Sequence, residues 1–324
     1  MKRLLHIGHY FHTKTRSADF MIDLLRERYD EVRTLSVIPS ASNAYSKIPE
    51  YAGDYDMLLC WQVMPPIDFL RQFISYKRAV LAPMADACPN IKKIERWYPF
   101  RNFQIISFSK TLHDKLKSAG FSSHYFQYFP APQPVGNLGD PTSAFFWTRG
   151  HKINCETVEK LSRSSFIKKI HIHDVPDPKV TTTPPPPDSA LSYTYSTWFE
   201  HKHELERTIS ESACYIAPRI REGIGMSFLE AMAMGRCVIA PDSYTMNEYI
   251  RHGVNGLLYN IKNPSPLEHA DIRKIQQSAI ETIRAGHERW NVKKYEMLDL
   301  LDEKPEIHFP KIALGRLRRF FQKS

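Results

Sequence analysis

Residues 214–259, CYIAPRIREGIGMSFLEAMAMGRCVIAPDSYTMNEYIRHGVNGLLY, alternate short apolar runs with amphipathic ones at a spacing that few architectures satisfy. Tyr215, Ile216 and Ala217 form an apolar run closed by Pro218, the pattern of a buried parallel strand. Gly223 and Gly225 follow, with Ile224 between them, where the backbone must turn sharply or approach a ligand closely. Ser227 through Glu230 then open a helix that carries Phe228, Leu229, Met232 and Ala233 toward a core, and Gly235 stands where such a helix stops. Residues 238–240 read as the next strand, 244–252 as a second helix, and Asn255-Gly256 as a turn into a strand at 257–259. Strand, helix, strand, helix and strand at this spacing predict a right-handed parallel α/β unit.

The first strand-to-helix turn of such a unit lies at the carboxyl edge of the sheet, where these folds bind ligands. Amides at the helix start, near Met226, Ser227 and Phe228, can hold a phosphate with the helix dipole behind them. Glu222 falls at the mouth of the turn and Glu230 one turn inside the helix, eight residues later. Two carboxylates flanking a phosphate-binding helix start suit a sugar nucleotide, one for sugar hydroxyls and one for ribose hydroxyls. Ser227 and Glu230 also fit a capping box, so Glu230 has two readings, cap or ligand contact. Nothing helical requires a carboxylate at Glu222.

The string from Glu222 to Leu258 resembles the donor-binding signature of GT-B-fold retaining glycosyltransferases, especially the large family 4 group (glycosyl transferases group 1). The matching elements are Glu222 to Glu230, then EAMAMG ending at Gly235, then Glu248 to Leu258. The resemblance implies an α/β GT-B fold, two Rossmann-like domains whose parallel sheets face a central cleft. It also implies transfer of a sugar from a nucleotide-diphosphate sugar with retention at the anomeric carbon, without metal or other cofactor. In the front-face mechanism discussed for such enzymes, the leaving phosphate itself helps deprotonate the acceptor.

The 324 residues suffice for two domains of ordinary size. Residues 1–132 are expected to form an acceptor domain, 133–141 a linker and 142–288 the donor domain, with C-terminal helices at 289–324 that the resemblance to GT-B proteins implies cross back onto the first domain. Residues 4–8, 33–38, 55–61, 79–83, 104–108 and 122–129 read as strands of the first domain, with helices at 19–29 and 109–119. The stretch FPAPQPVGNLGDP, 129–141, is the expected hinge. After a strand at 144–147, Arg149 and Lys152 are similar to the family's two cations that hold the donor diphosphate, though more closely spaced. A guanidinium binds phosphate oxygens in a bidentate way and an ammonium adds a point charge. An ordinary solvated basic loop is the other reading of the pair. Residues 167–175 read as a strand, 176–192 as an irregular loop and 199–212 as a helix. The loop after the first strand, GHYFHTKTRSAD, departs from the family in keeping Gly8 alone, without a paired glycine. The candidate catalytic residues are Glu222 on the donor side and, on the acceptor side, Asp86, following a strand, with His9 and His12 as alternatives to Asp86; for each of these three, a local structural role is the competing reading.

Five scattered cysteines without a CxxC pair favour a reduced, cytoplasmic setting over a disulfide framework. The N-terminus lacks the apolar run of a signal peptide. His171 and His173 alternate on one strand, and His201 and His203 lie close in sequence, but neither pair has a third ligand beside it, so no metal site is expected. Residues 288–303 read as a helix. The tail at 310–324 is basic and apolar, and reads either as a solvated end or as an amphipathic anchor on the inner face of an anionic membrane. A net charge of +9 permits nucleic-acid binding, yet no recognition motif supports it. The expected partners are therefore a nucleotide-sugar donor and a saccharide or lipid-linked acceptor, as in bacterial surface polysaccharide or lipopolysaccharide synthesis. Two alternatives remain open: a nucleotide-sugar epimerase of the same fold, and a non-catalytic binding protein on a degenerate transferase scaffold.

Overall fold

A computed structural model describes residues 1–88, 93–150, 152–178, 180–268 and 270–305. The tail at 310–324 lies outside the described residues. The chain divides into two compact units, Met1–Gln127 with the chain from Val292 onward, and Tyr128–Asn291.

The first unit is built on a six-stranded sheet in the order β2-β1-β3-β4-β5-β6, every pairing parallel. Its elements are β1 (Arg3–His9), α1 (Phe11–Thr15), α2 (Asp19–Arg26), β2 (Glu31–Val37), β3 (Gly53–Trp61), α3 (Ile67–Leu70), β4 (Ile74–Ala82), β5 (Gln104–Ser107), α4 (Lys110–Ser118) and β6 (Ser123–Tyr125). Leu5, Ile7, Leu58, Cys60, Leu81 and Ile105 supply one buried face, against which Trp97, Phe100 and Leu112 pack. β4 starts five residues before the strand expected at 79–83. Its first half, through Lys77 and Arg78, is partly exposed and polar, but pairing with β3 from Gly53↔Ile74 extends it.

The second unit repeats the plan in the order β12-β11-β10-β7-β8-β9, again wholly parallel. Here the elements are β7 (Asp140–Trp147), α5 (Cys155–Ser162), β8 (Lys169–His173), β9 (Ser192–Ser196), α6 (Lys202–Ser210), β10 (Ser212–Ile216), α7 (Met226–Ala233), β11 (Cys237–Pro241), α8 (Met246–Tyr249), β12 (Leu257–Tyr259) and α9 (Ile272–Leu301) as far as Asn291, its remainder being counted with the first unit. β10 and β11 are buried at every residue, as central parallel strands must be. α7 ends as its sequence predicts. Gly235 takes φ 76°, its amide reaches the Met232 carbonyl, and the Arg236 amide reaches that of Ala231.

Several elements differ from the sequence reading. α5 and β9 were not anticipated. α8 covers only four residues of the expected 244–252, because Asn255 ends it: its side chain accepts from the Arg251 amide at 2.7 Å and donates to the Tyr249 carbonyl at 3.1 Å. α9 begins sixteen residues before the expected 288, with Ile272, Ile275, Ala279, Ile283 and Trp290 buried at three-, four- and seven-residue steps.

Polar side chains fix the entry to the second unit. Arg236 is 0% exposed and donates to the carbonyls of Met234, Ser210, Ser212 and Asn137, with no carboxylate among its acceptors. Buried Gln276 donates to the carbonyls of Leu138 and Gly235, and Arg273 to those of Leu138 and Gly139. The backbone from Asn137 to Gly139 is thereby satisfied without regular structure.

Candidate functional site

In the second unit, β10, β7 and β8 are adjacent and parallel, so the loops leaving their carboxyl ends emerge side by side. The loop after β7 carries Arg149, that after β8 carries Asp177, and that after β10 runs from Arg219 through Glu222 to Gly225. Backbone bonds tie the first two loops: the Asp177 amide donates to the Arg149 carbonyl and the Thr148 amide to that of His173, each at 3.0 Å. The Trp147 indole N–H adds a bond to the Val175 carbonyl at 3.0 Å.

Gly225 is the N-cap of α7, at φ 88° and ψ 33°. A Cβ there would fall 2.0 Å from Cε1 of Phe228, so the left-handed turn and the folded-over phenyl both require glycine. Met226, Ser227 and Phe228 are consequently the first helical residues, and the N-cap, a glycine, supplies no side-chain cap. This overturns the capping-box reading. With the cap at Gly225, Ser227 lies inside the first turn and Glu230 is out of reach of that role. Glu230 instead accepts from Nζ of Lys202, at the start of α6, at 3.1 Å.

Beneath the turn lies Tyr215, buried, its hydroxyl without a hydrogen bond of good geometry. Burial raises its phenol well above the ordinary value; the Glu222 and Glu230 carboxylates add to the rise, while the Ser227 hydroxyl and the Arg149 guanidinium oppose it. Four of the residues selected from sequence thus act on one buried oxygen. Gly223 and Ile224 are buried beside them. Glu222 is half-buried, and its carbonyl accepts from the Thr245 hydroxyl at 2.6 Å. Thr245 itself is 0% exposed at φ 67° and ψ −54°, a strained conformation for a β-branched residue.

Arg149 stacks on Trp147, its guanidinium carbon 4.7 Å from the ring centre, and its Nε donates to Asp177 at 2.8 Å. The other oxygen of the Asp177 carboxylate accepts from Arg219. Lys152 stands exposed before α5, apart from this pairing. Asp86, in the first unit, occupies an exposed turn after β4. His9, at the end of β1, accepts from the Phe11 amide, and His12 pairs with the Ser17 hydroxyl at 2.7 Å. His171 and His173 bond to the hydroxyls of Thr194 and Ser196, and among the described residues no group of three or more His, Cys, Asp or Glu is placed to hold a metal ion.

The sequence reading did not anticipate Arg219, Asp177, Lys202, Tyr215 or Thr245. Arg219 stood three residues before Glu222 and was the most accessible of these. Asp177 was hidden in a proline-rich tract and Tyr215 in an apolar strand.

Residues 188–277 match the family described as glycosyl transferases group 1. Comparison with curated proteins by sequence returned no match. Among solved structures, sucrose-phosphate synthase from Thermosynechococcus elongatus is similar at TM-score 0.66 and 13% identity, over 100% of both chains. The lipopolysaccharide outer core galactosyltransferase WaaB matches at TM-score 0.58 and 12% identity over 92% of this chain and 98% of its own. HepE of Anabaena in complex with UDP matches at 0.54 and 12%, over 93% and 100%. Two parallel six-stranded sheets with these neighbours are the GT-B fold, and the matched segment contains the turn, α7 and both glutamates. The chain carries a glycosyl transferases group 1 domain on a GT-B frame, the constitution of a glycosyltransferase.

Proposed function

We propose that this protein transfers a sugar, with retention, from a nucleoside diphosphate sugar to a saccharide or lipid-linked acceptor in bacterial surface polysaccharide or lipopolysaccharide synthesis. The observation that carries the reading is the left-handed turn at Gly225 that opens α7 after Glu222, at the same sheet edge as the loop that holds Arg149. That arrangement offers cations and amides to a diphosphate and carboxylates to hydroxyl groups. Arg149, Lys152 and the amides of Met226, Ser227 and Phe228 would stabilise the charge that develops on the departing diphosphate. Glu222 would position the transferred sugar and Glu230, steadied by Lys202, the ribose. Asp86 is the residue we assign to the acceptor side. The solved complex of HepE with UDP and the lipopolysaccharide role in WaaB's description make a uridine donor and a glycan acceptor the first to try.

Thermal unfolding with UDP, GDP, ADP and their sugar conjugates tests the donor site. A ligand at a hundred times its dissociation constant adds about 2.7 kcal/mol. The shift should appear with one base and vanish in Arg149→Ala; absence with every nucleotide would overturn the reading.

A further inference from the structure

The Asp177 carboxylate spans two guanidiniums drawn from different loops, Arg149 on one oxygen and Arg219 on the other. The three side chains are 14%, 33% and 24% exposed for Arg149, Arg219 and Asp177, so this is a half-sheltered cluster rather than a surface pair. It sits at the carboxyl ends of three neighbouring strands, and Arg149 is the cation that acts on the Tyr215 hydroxyl. Two guanidiniums held one carboxylate apart are spaced to receive one oxyanion through two of its oxygens, the geometry a phosphate shares.

We propose that Arg219 is a second arginine of the anion site and that Asp177 is its internal occupant, which the phosphate of the donor displaces. The inference rests on the donor-site reading above and extends it to two residues outside the family-like motif. The chemistry follows from charge. Asp177 cancels one of two cations while the site is empty, which spares the protein a repulsive arginine pair. An incoming diphosphate carries more charge and more acceptor oxygens than the carboxylate and engages both guanidiniums. Released Asp177 remains within its own loop, so the exchange leaves the sheet and α7 unchanged.

The test is calorimetric titration of the full chain with inorganic pyrophosphate, which probes the anion site without reference to base or sugar. The wild type should bind. Arg219→Gln should bind about tenfold more weakly or worse, since a charge-assisted contact of this kind is worth that much. Arg219→Lys, which keeps the charge but loses the fork, should fall between. Asp177→Asn should bind more tightly than the wild type and more tightly than Asp188→Asn, which makes the same charge change at an exposed position of the same tract. Circular dichroism of each variant verifies that it is folded. Arg219→Gln binding as the wild type does, while Arg149→Ala loses binding, would overturn this inference and leave the donor site standing. Weaker binding by Asp177→Asn would overturn the role of internal occupant. No binding by the wild type would overturn both readings.

Discussion

Acidification should destabilise the first unit through His6, and the size of the effect follows from its setting. His6 lies in the middle of β1, 2% exposed, with neither ring nitrogen hydrogen-bonded. Its ring lies against Gly8, where an added Cβ would come within 2.7 Å of its Cε1. Burial, assisted by the neighbouring His12, lowers the imidazole from its ordinary 6.5 to about 4. The sign is therefore fixed: between those values the unfolded chain binds a proton that the folded chain refuses, so stability is complete above 6.5 and falls as the pH drops toward about 4. Linkage between the two values costs about 2 kcal/mol at about pH 5 and only about 0.2 kcal/mol at about pH 7. Urea unfolding of the wild type and of His6→Leu at both pH values isolates the term, because a constant packing cost of the substitution cancels in the difference. The loss between the two pH values should be smaller in His6→Leu by about 2 kcal/mol. Equal losses in the two proteins would show that the imidazole is protonated in the fold or hydrated there, and the argument would fail.

Other expected outcomes follow from single contacts. Gly225→Ala must place a methyl group on the Phe228 ring at a left-handed position, and should lower stability by about 2–4 kcal/mol and weaken nucleotide binding, measured by thermal unfolding with and without ligand. Arg236→Met strands the carbonyls that the guanidinium satisfies, and should cost about 3 kcal/mol or more in a urea titration; a neutral result would mean that water replaces the side chain. Thr245→Val keeps the shape but removes the bond to the Glu222 carbonyl, while Thr245→Ser keeps the bond. Donor binding should be weakened several-fold in the first and retained in the second, by calorimetry with the nucleotide that the thermal panel selects.

The strand and helix pattern of residues 214–259 was legible in the sequence because each element there declares itself locally. Central parallel strands are apolar throughout, glycine alone fits Gly225 and Gly235, and Asn255-Gly256 marks a turn. Glu222 and the helix start after it could be picked out because a turn at a sheet's carboxyl edge has few reasons to hold a carboxylate. Even the position of Arg149 was visible, since it follows a clear strand. Other features had no local signature. The cap on α7 went to Gly225 instead of Ser227 because the chain enters the helix from a left-handed turn, a backbone state that sequence spacing does not express. Glu230 took Lys202 as its partner across a gap of 28 residues, and Asp177 joined Arg149 to Arg219 across 28 and 42. The last two distances are closed by strand order: β7 lies between β8 and β10, so residues far apart in the chain leave the sheet as neighbours. Residue types and spacing along the chain determined which side chains could serve a phosphate; the parallel sheet decided which of them meet.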